Sequence, residues 1–162
     1  MAEESLQDQQ QEAEQPIFGI EKIYVKDASL EMPNAPQIFL QREEPQISIE
    51  LHNTASLLSD GVFQVVVTAT VTAKIEDKTA FLVEVAQAGI FRAQNIPQDS
   101  IEPMLGIACP NILFPYVRET VSDLVTRAGF PPVLLSPVNF EALYLQQKQQ
   151  QAESGAGQAT TH

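Results

Sequence analysis

A chain of 162 residues is long enough for one domain with a real core, plus tails. Its 21 acidic and 9 basic residues leave a net charge of −12, which argues against nucleic acid or an anionic membrane surface as partner and favours basic partners. One cysteine excludes an internal disulfide, no basic segment followed by an apolar one opens the chain, and the apolar runs are too short to span a bilayer, so the expected location is cytoplasmic.

Residues 1–16 carry five carboxylates (Glu3, Glu4, Asp8, Glu12, Glu14) among glutamines and no base. Such a segment buries too little apolar surface to offset its ordering entropy, so it is predicted to be a disordered acidic tail. The body of the chain follows, residues 17–148, and its first strand is predicted over Ile20 to Leu30 from β-branched and aromatic residues whose alternation is imperfect. Residues 32–45 form a proline-punctuated connection too long for a hairpin. Ile47, Ile49 and Leu51 then alternate with Ser48, Glu50 and His52, as a half-buried strand does.

The third strand has the clearest pattern. Phe63, Val65, Val67, Ala69, Val71, Ala73 and Ile75 share one face, and Gln64, Val66, Thr68, Thr70, Thr72 and Lys74 the other. The fourth, Thr79 to Phe91, turns Phe81, Val83 and Val85 inward and Leu82, Glu84 and Ala86 outward. Period-2 patterns with one polar face predict an antiparallel sheet covered on one side. Residues 94–108, with Pro97, Pro103 and Gly106, read as an irregular link. A long helix then follows, with Val117, Val121, Leu124, Val125 and Ala128 at helical spacing, Pro110 and Pro115 near its start and Gly129 at its end. Asn139 reads as the N-cap of a short final helix with Phe140, Leu143 and Tyr144 as its apolar stripe. The glutamine-rich chain beyond is expected to fray, with residues 149–162 a disordered tail.

The catalytic inventory is thin. His52 and His162 are the only histidines, and neither pairs with Cys109 or a carboxylate at metal-ligand spacing, so no metal and no cofactor are expected. Cys109 reads as a small buried hydrophobe, and no phosphate-cradling glycine motif occurs. Two features ask for a binding explanation. One is the aromatic and aliphatic surplus outside the strands: Phe39, Leu40, Phe114, Tyr116, Phe130, Phe140 and Tyr144. The other is a set of carboxylates on strands, Asp27, Glu31 and Glu84, with Leu82 on the face of Glu84.

The blocks Cys109-Pro110-Asn111-Ile112-Leu113-Phe114-Pro115-Tyr116 with Arg118-Glu119, and Pro137-Val138-Asn139-Phe140-Glu141-Ala142-Leu143-Tyr144, resemble the SecB family of bacterial protein-export chaperones. Two upstream blocks, residues 23–36 and 79–91, extend the resemblance in the same order over most of residues 17–150. It implies an ATP-independent holdase that keeps precursor proteins unfolded and passes them to the SecA motor, and a homotetramer built as a dimer of dimers. It implies that the 32–45 connection crosses the sheet, giving a Greek-key order with strands 1 and 4 central. The family's SecA-contacting positions fall on Asp27, Glu31, Leu82 and Glu84, and its client groove, between the crossing loop and the final helix, on Phe39, Phe140 and Tyr144. The long helices pack between dimers, where Tyr116, Val121 and Leu124 are expected. Two departures stand out: residues 149–162 carry only Glu153 where the family's tail is commonly acidic, and Ala88-Gly89 replaces a frequent Gly-Gly.

The expectation is therefore an α+β chain, a four-stranded antiparallel Greek-key sheet with one long and one short helix on one face, acting as a non-enzymatic chaperone. The alternative is a small-ligand enzyme on a thioesterase-like fold, which would need Asp123 or His52 buried beside an acyl-sized cavity.

Overall fold

The structure, a computed structural model, describes residues 15–158, with side chains to Gly155. The predicted tail thus lies outside the described residues up to Glu14, as do residues 159–162. Four strands form one antiparallel sheet: β1 (Ile17–Glu31), β2 (Gln46–Ser59), β3 (Val62–Ile75) and β4 (Lys78–Gln94). The spatial order is β1-β4-β3-β2. The connection after β1 therefore crosses the sheet, and β4 is central as expected. β1 is not central: it occupies an edge, because β4 pairs with both β1 and β3 and nothing pairs with the far side of β1 among the described residues.

The irregular alternation of β1 has a physical cause. Its register against β4 shifts between Ile20 and Lys22 and again between Val25 and Asp27, so Glu21 and Lys26 are extra residues of two bulges. Each bulge reverses the faces of the residues that follow it.

The predicted link 94–108 is mostly helix. Helix α1 (Gln98–Pro103) runs through a π turn (Met104–Ala108) straight into α2 (Cys109–Arg127). Pro103 and Pro115 lie inside helical segments rather than ahead of them. The π turn bonds the Cys109 N–H to the Met104 carbonyl, five residues back, and this wider winding accommodates the proline-rich entry. Gly129 ends the helix at φ 89°, as its C-cap position predicts.

Helix α2 lies on the inner face of β3 and β4. Cys109, Leu113, Val117, Val121 and Val125, four residues apart along one stripe, are fully buried against Val65, Val67, Ala69, Val71, Phe81, Val83 and Val85. The chain then runs back along α2, where Arg118 Nε donates to the Leu135 carbonyl (2.9 Å) and the guanidinium lies over the Phe114 ring. Helix α3 (Phe140–Gln158) is capped as predicted, with Asn139 Oδ1 accepting from the Ala142 N–H at 3.0 Å. It is the shorter of the two, set against the continuous run Gln98–Arg127, and it continues through the glutamines where fraying was expected, although everything from Leu145 to Gly155 is exposed.

Candidate functional site

One helix cannot cover four strands. Helix α2 rests on β3 and β4 and leaves the inner-facing residues of both edge strands partly bare. On β1 these are Phe18, Ile20 and Val25; on β2 they are Ile47, Ile49 and Leu57, all exposed. Among the described residues no helix covers the opposite face of the sheet.

That open face holds the four residues expected to contact SecA, and the pairing brings them together. Glu31 stands opposite Leu82, Ser29 opposite Glu84, and Asp27 opposite Ala86. All six project from one side, because residues two apart on a strand share a face. Asp27, Glu31 and Glu84 are exposed and Leu82 is half-buried between them. Thr70 on β3 donates to Glu84 Oε2 at 3.5 Å, and Glu50 of β2 faces the same side beyond Thr70.

The three residues expected in a client groove do not line one groove. Phe39 is 49% exposed and stacks on Phe130 at 5.4 Å, with Phe130 tilted against Phe81 at 5.2 Å. This aromatic chain sits at the C-terminal end of α2, where Gly129 leaves room for the Phe39 ring: a Cβ there would come within 3.1 Å of it. Phe140 is only 1% exposed and meets Phe114 edge-on, so it belongs to the core and anchors α3. Tyr144 packs on Gly106 of the π turn, where an added Cβ would lie 2.7 Å from the ring. It borders a cleft of about 290 Å³ between β2 (Asn53, Thr54, Ala55), the start of the long helix (Ile101, Leu105) and α3. Lys148 lies over the Tyr144 ring and beside Glu102 (3.8 Å); the Tyr144 hydroxyl and then the Glu102 carboxylate raise its pKa.

Of the expected interface residues, Tyr116 is 45% exposed on the outer side of α2 and Leu124 is half-buried. Val121 is 0% exposed within the chain's own core, so it has no surface left to offer a partner. Sequence reasoning did not single out the bare strips on β1 and β2, because an edge strand and a covered strand share the same alternation.

Neither residue of the enzyme alternative is buried. His52 is exposed on the open face, and Asp123 is exposed and paired with Arg127 at 3.0 Å. Among the described residues no group of three His, Cys, Asp or Glu could hold a metal ion, and no helix is long and apolar enough to cross a membrane.

A crossed four-stranded antiparallel sheet with one long helix on its inner face is a SecB-like fold. The solved structure of a Mycobacterium tuberculosis SecB-like chaperone, in complex with a ChAD peptide from the HigA1 antitoxin, has this fold: TM-score 0.62 and 16% identity, covering 75% of this chain and 90% of that one. The family described as preprotein translocase subunit SecB matches residues 11–151. The protein-export protein SecB of Methylobacillus flagellatus is 67% identical over the full length of both chains. That of Chromobacterium violaceum is 63% identical over 146 residues, 90% of this chain and 97% of the other. The chain belongs to the SecB family, and its role is that of a chaperone in protein export.

Proposed function

We propose that this chaperone is a cytoplasmic, nucleotide-independent holdase that binds unfolded precursors on its apolar strips and hands them to SecA through the open face of the sheet. The observation that carries the reading is the separation of two chemically different surfaces on one small sheet. On one side Asp27, Glu31 and Glu84 surround Leu82; on the other, Ile47, Ile49 and Leu57 of the edge strand β2 lie bare. The outer edge of β2 also has backbone N–H and C=O groups unpaired by any strand among the described residues. Extended polypeptide of any sequence can use such an edge, with generic apolar pockets beside it supplying affinity. Tyr144 borders β2 at Asn53, Thr54 and Ala55, and Phe39, exposed on its stack with Phe130, adds a second aromatic contact for the client. The acidic face suits a basic partner, and sign complementarity steers such encounters.

The bare strip of β1, with Tyr116 and Leu124 of α2, is apolar surface of the kind a symmetric assembly buries, which supports a homotetramer built as a dimer of dimers. The testing experiment measures aggregation of an unfolded precursor with the purified chain and no nucleotide, together with a SecA titration. Suppression and salt-sensitive SecA binding are expected; failure to suppress aggregation rejects the holdase reading.

A further inference from the structure

Along the inner row of β4, Val83, Val85 and Phe91 are fully buried and apolar, yet position 87 in the same row is a glutamine, 3% exposed. It is the one buried polar side chain in the described core. A primary amide in that row is costly unless its hydrogen bonds are made. One of them is made: Gln87 Nε2 donates to the Tyr24 carbonyl of β1 at 3.1 Å, while Oε1 has no partner among the described residues.

The place where that bond lands gives it a consequence. Val25 pairs with Gln87 itself, and the next paired residue on β1 is Asp27, opposite Ala86. Lys26 is the extra residue of the bulge. With it, Asp27 and Glu31 face the open side beside Leu82 and Glu84. Without it, and with the upstream pairing kept, they would trade faces with Ala28 and Leu30 and point toward the helix.

We infer that Gln87 is a positioning residue for the acidic face: its side-chain amide, acting from the core side, pins β1 at the Lys26 bulge and so sets which way Asp27 and Glu31 point. The other bulge of β1, at Glu21, is tied from β4 in a parallel way, Arg92 forming an ion pair and hydrogen bond with Glu21; with the Lys26 bulge holding the pairing of Asp27 to Glu31 in place, loosening it alters only the pairing of residues 17–20, so it serves as a control. The consequence for SecA rests on the reading of the open face given above.

The test uses the full chain with Gln87→Leu, with Gln87→Met as the length-preserving second variant. It measures amide exchange, SecA affinity at two salt concentrations, client holding and oligomeric state. The expected result is loss of amide protection over residues 25–31 and a SecA affinity about three- to tenfold weaker with a flatter salt dependence, the size of one lost hydrogen bond. Client holding and assembly stay unchanged, and Arg92→Met leaves SecA affinity unaltered. Retained protection over 25–31 overturns the inference, as does unchanged SecA affinity, or a fall in affinity that appears only when the oligomer dissociates. Asp27→Asn with Glu84→Gln, titrated alongside, reads the face independently. If that pair lowers SecA affinity and the Gln87 variants do not, the positioning role fails while the face stands; if the pair has no effect, the face reading itself fails.

Discussion

Glu31 on β1 and Leu82 on β4 stand directly opposite one another, so a carboxylate and a leucine project side by side from the open face of the sheet. Glu84 is two residues along β4 from Leu82, and Asp27 four along β1 from Glu31, all on that face. None of the three carboxylates makes an ion pair among the described residues. Their removal therefore costs the fold little. Asp27→Asn with Glu84→Gln is expected to change unfolding free energy by no more than about 0.5 kcal/mol per site. SecA binding is expected to weaken, and that of the unmodified chain to weaken with added salt. Client holding should be untouched, since the surface proposed for it is on the other side of the sheet. Calorimetric titration with SecA and with an unfolded precursor checks this; equal loss toward both would mean the surfaces are not separate.

Each half of the acidic face was legible in the sequence, Asp27 with Glu31 and Leu82 with Glu84, while their meeting on one face depends on the β1–β4 pairing. A two-residue spacing on a strand fixes a shared face whatever the strand's neighbours are. In the sequence β1 showed only an imperfect alternation over Ile20 to Leu30; the bulges at Glu21 and Lys26 could not be located, since a bulge is defined by its partner strand. The edge position of β1 was missed for the same reason: strand order depends on pairings between residues far apart in the chain. Helix α1 and the π turn were hidden by Pro97, Pro103 and Gly106, which punctuate a sequence as a loop does; packing of Leu105 and Ile107 against the core favours helix there nonetheless. Among aromatic residues, nothing local distinguishes Phe39 from Phe140, and tertiary packing put one outside and the other inside.

That difference is measurable. Phe140 is sealed against Phe114 and the core, so Phe140→Ala is expected to cost about 3–5 kcal/mol in chemical unfolding. Phe39 has nearly half its surface in solvent, and Phe39→Ala is expected to cost about 1 kcal/mol, the loss of its stacking on Phe130 plus partial burial. The Phe39 variant should lose client holding while still folded at the assay temperature. Urea titrations with parallel aggregation assays separate the two, and equal stability losses would return Phe39 to the core.

Gly89 and Gly19 make a matched pair of a different kind. A Cβ on Gly89 would lie 2.6 Å from Phe91 Cε2, 2.9 Å from its Cζ and 3.0 Å from Leu113 Cδ2. Both neighbours are fully buried, so neither can yield easily, and Gly89→Ala is expected to destabilise by about 1–3 kcal/mol. Gly19 has nothing within 4 Å of its would-be Cβ, and Gly19→Ala should stay within about 0.5 kcal/mol of the parent. The melting temperatures of the two variants decide it; a neutral Gly89→Ala would mean that the helix-to-sheet spacing at Leu113 is looser than the geometry shows.

Cys109 supplies the prediction about pH. Its thiol begins α2 beneath the sheet, fully buried, and burial pushes its pKa from 9.0 up to about 12. The unfolded chain therefore gives up this proton before the folded one does. Stability linked to the group is fully present below about pH 9 and is lost as the pH climbs toward 12. Lysines and tyrosines also titrate in that range, so the measurement is a difference: unfolding free energy of the parent minus that of Cys109→Ala, followed from pH 8 to 11. The parent's advantage is expected to be flat up to about pH 9 and to shrink above it. The same burial makes the native thiol a poor nucleophile, so a thiol reagent at pH 8 should label it only at the rate at which the chain opens, and immediately in denaturant. A native chain that labels as fast as free cysteine, together with a difference that grows with pH, would place the thiol at a surface rather than beneath the sheet.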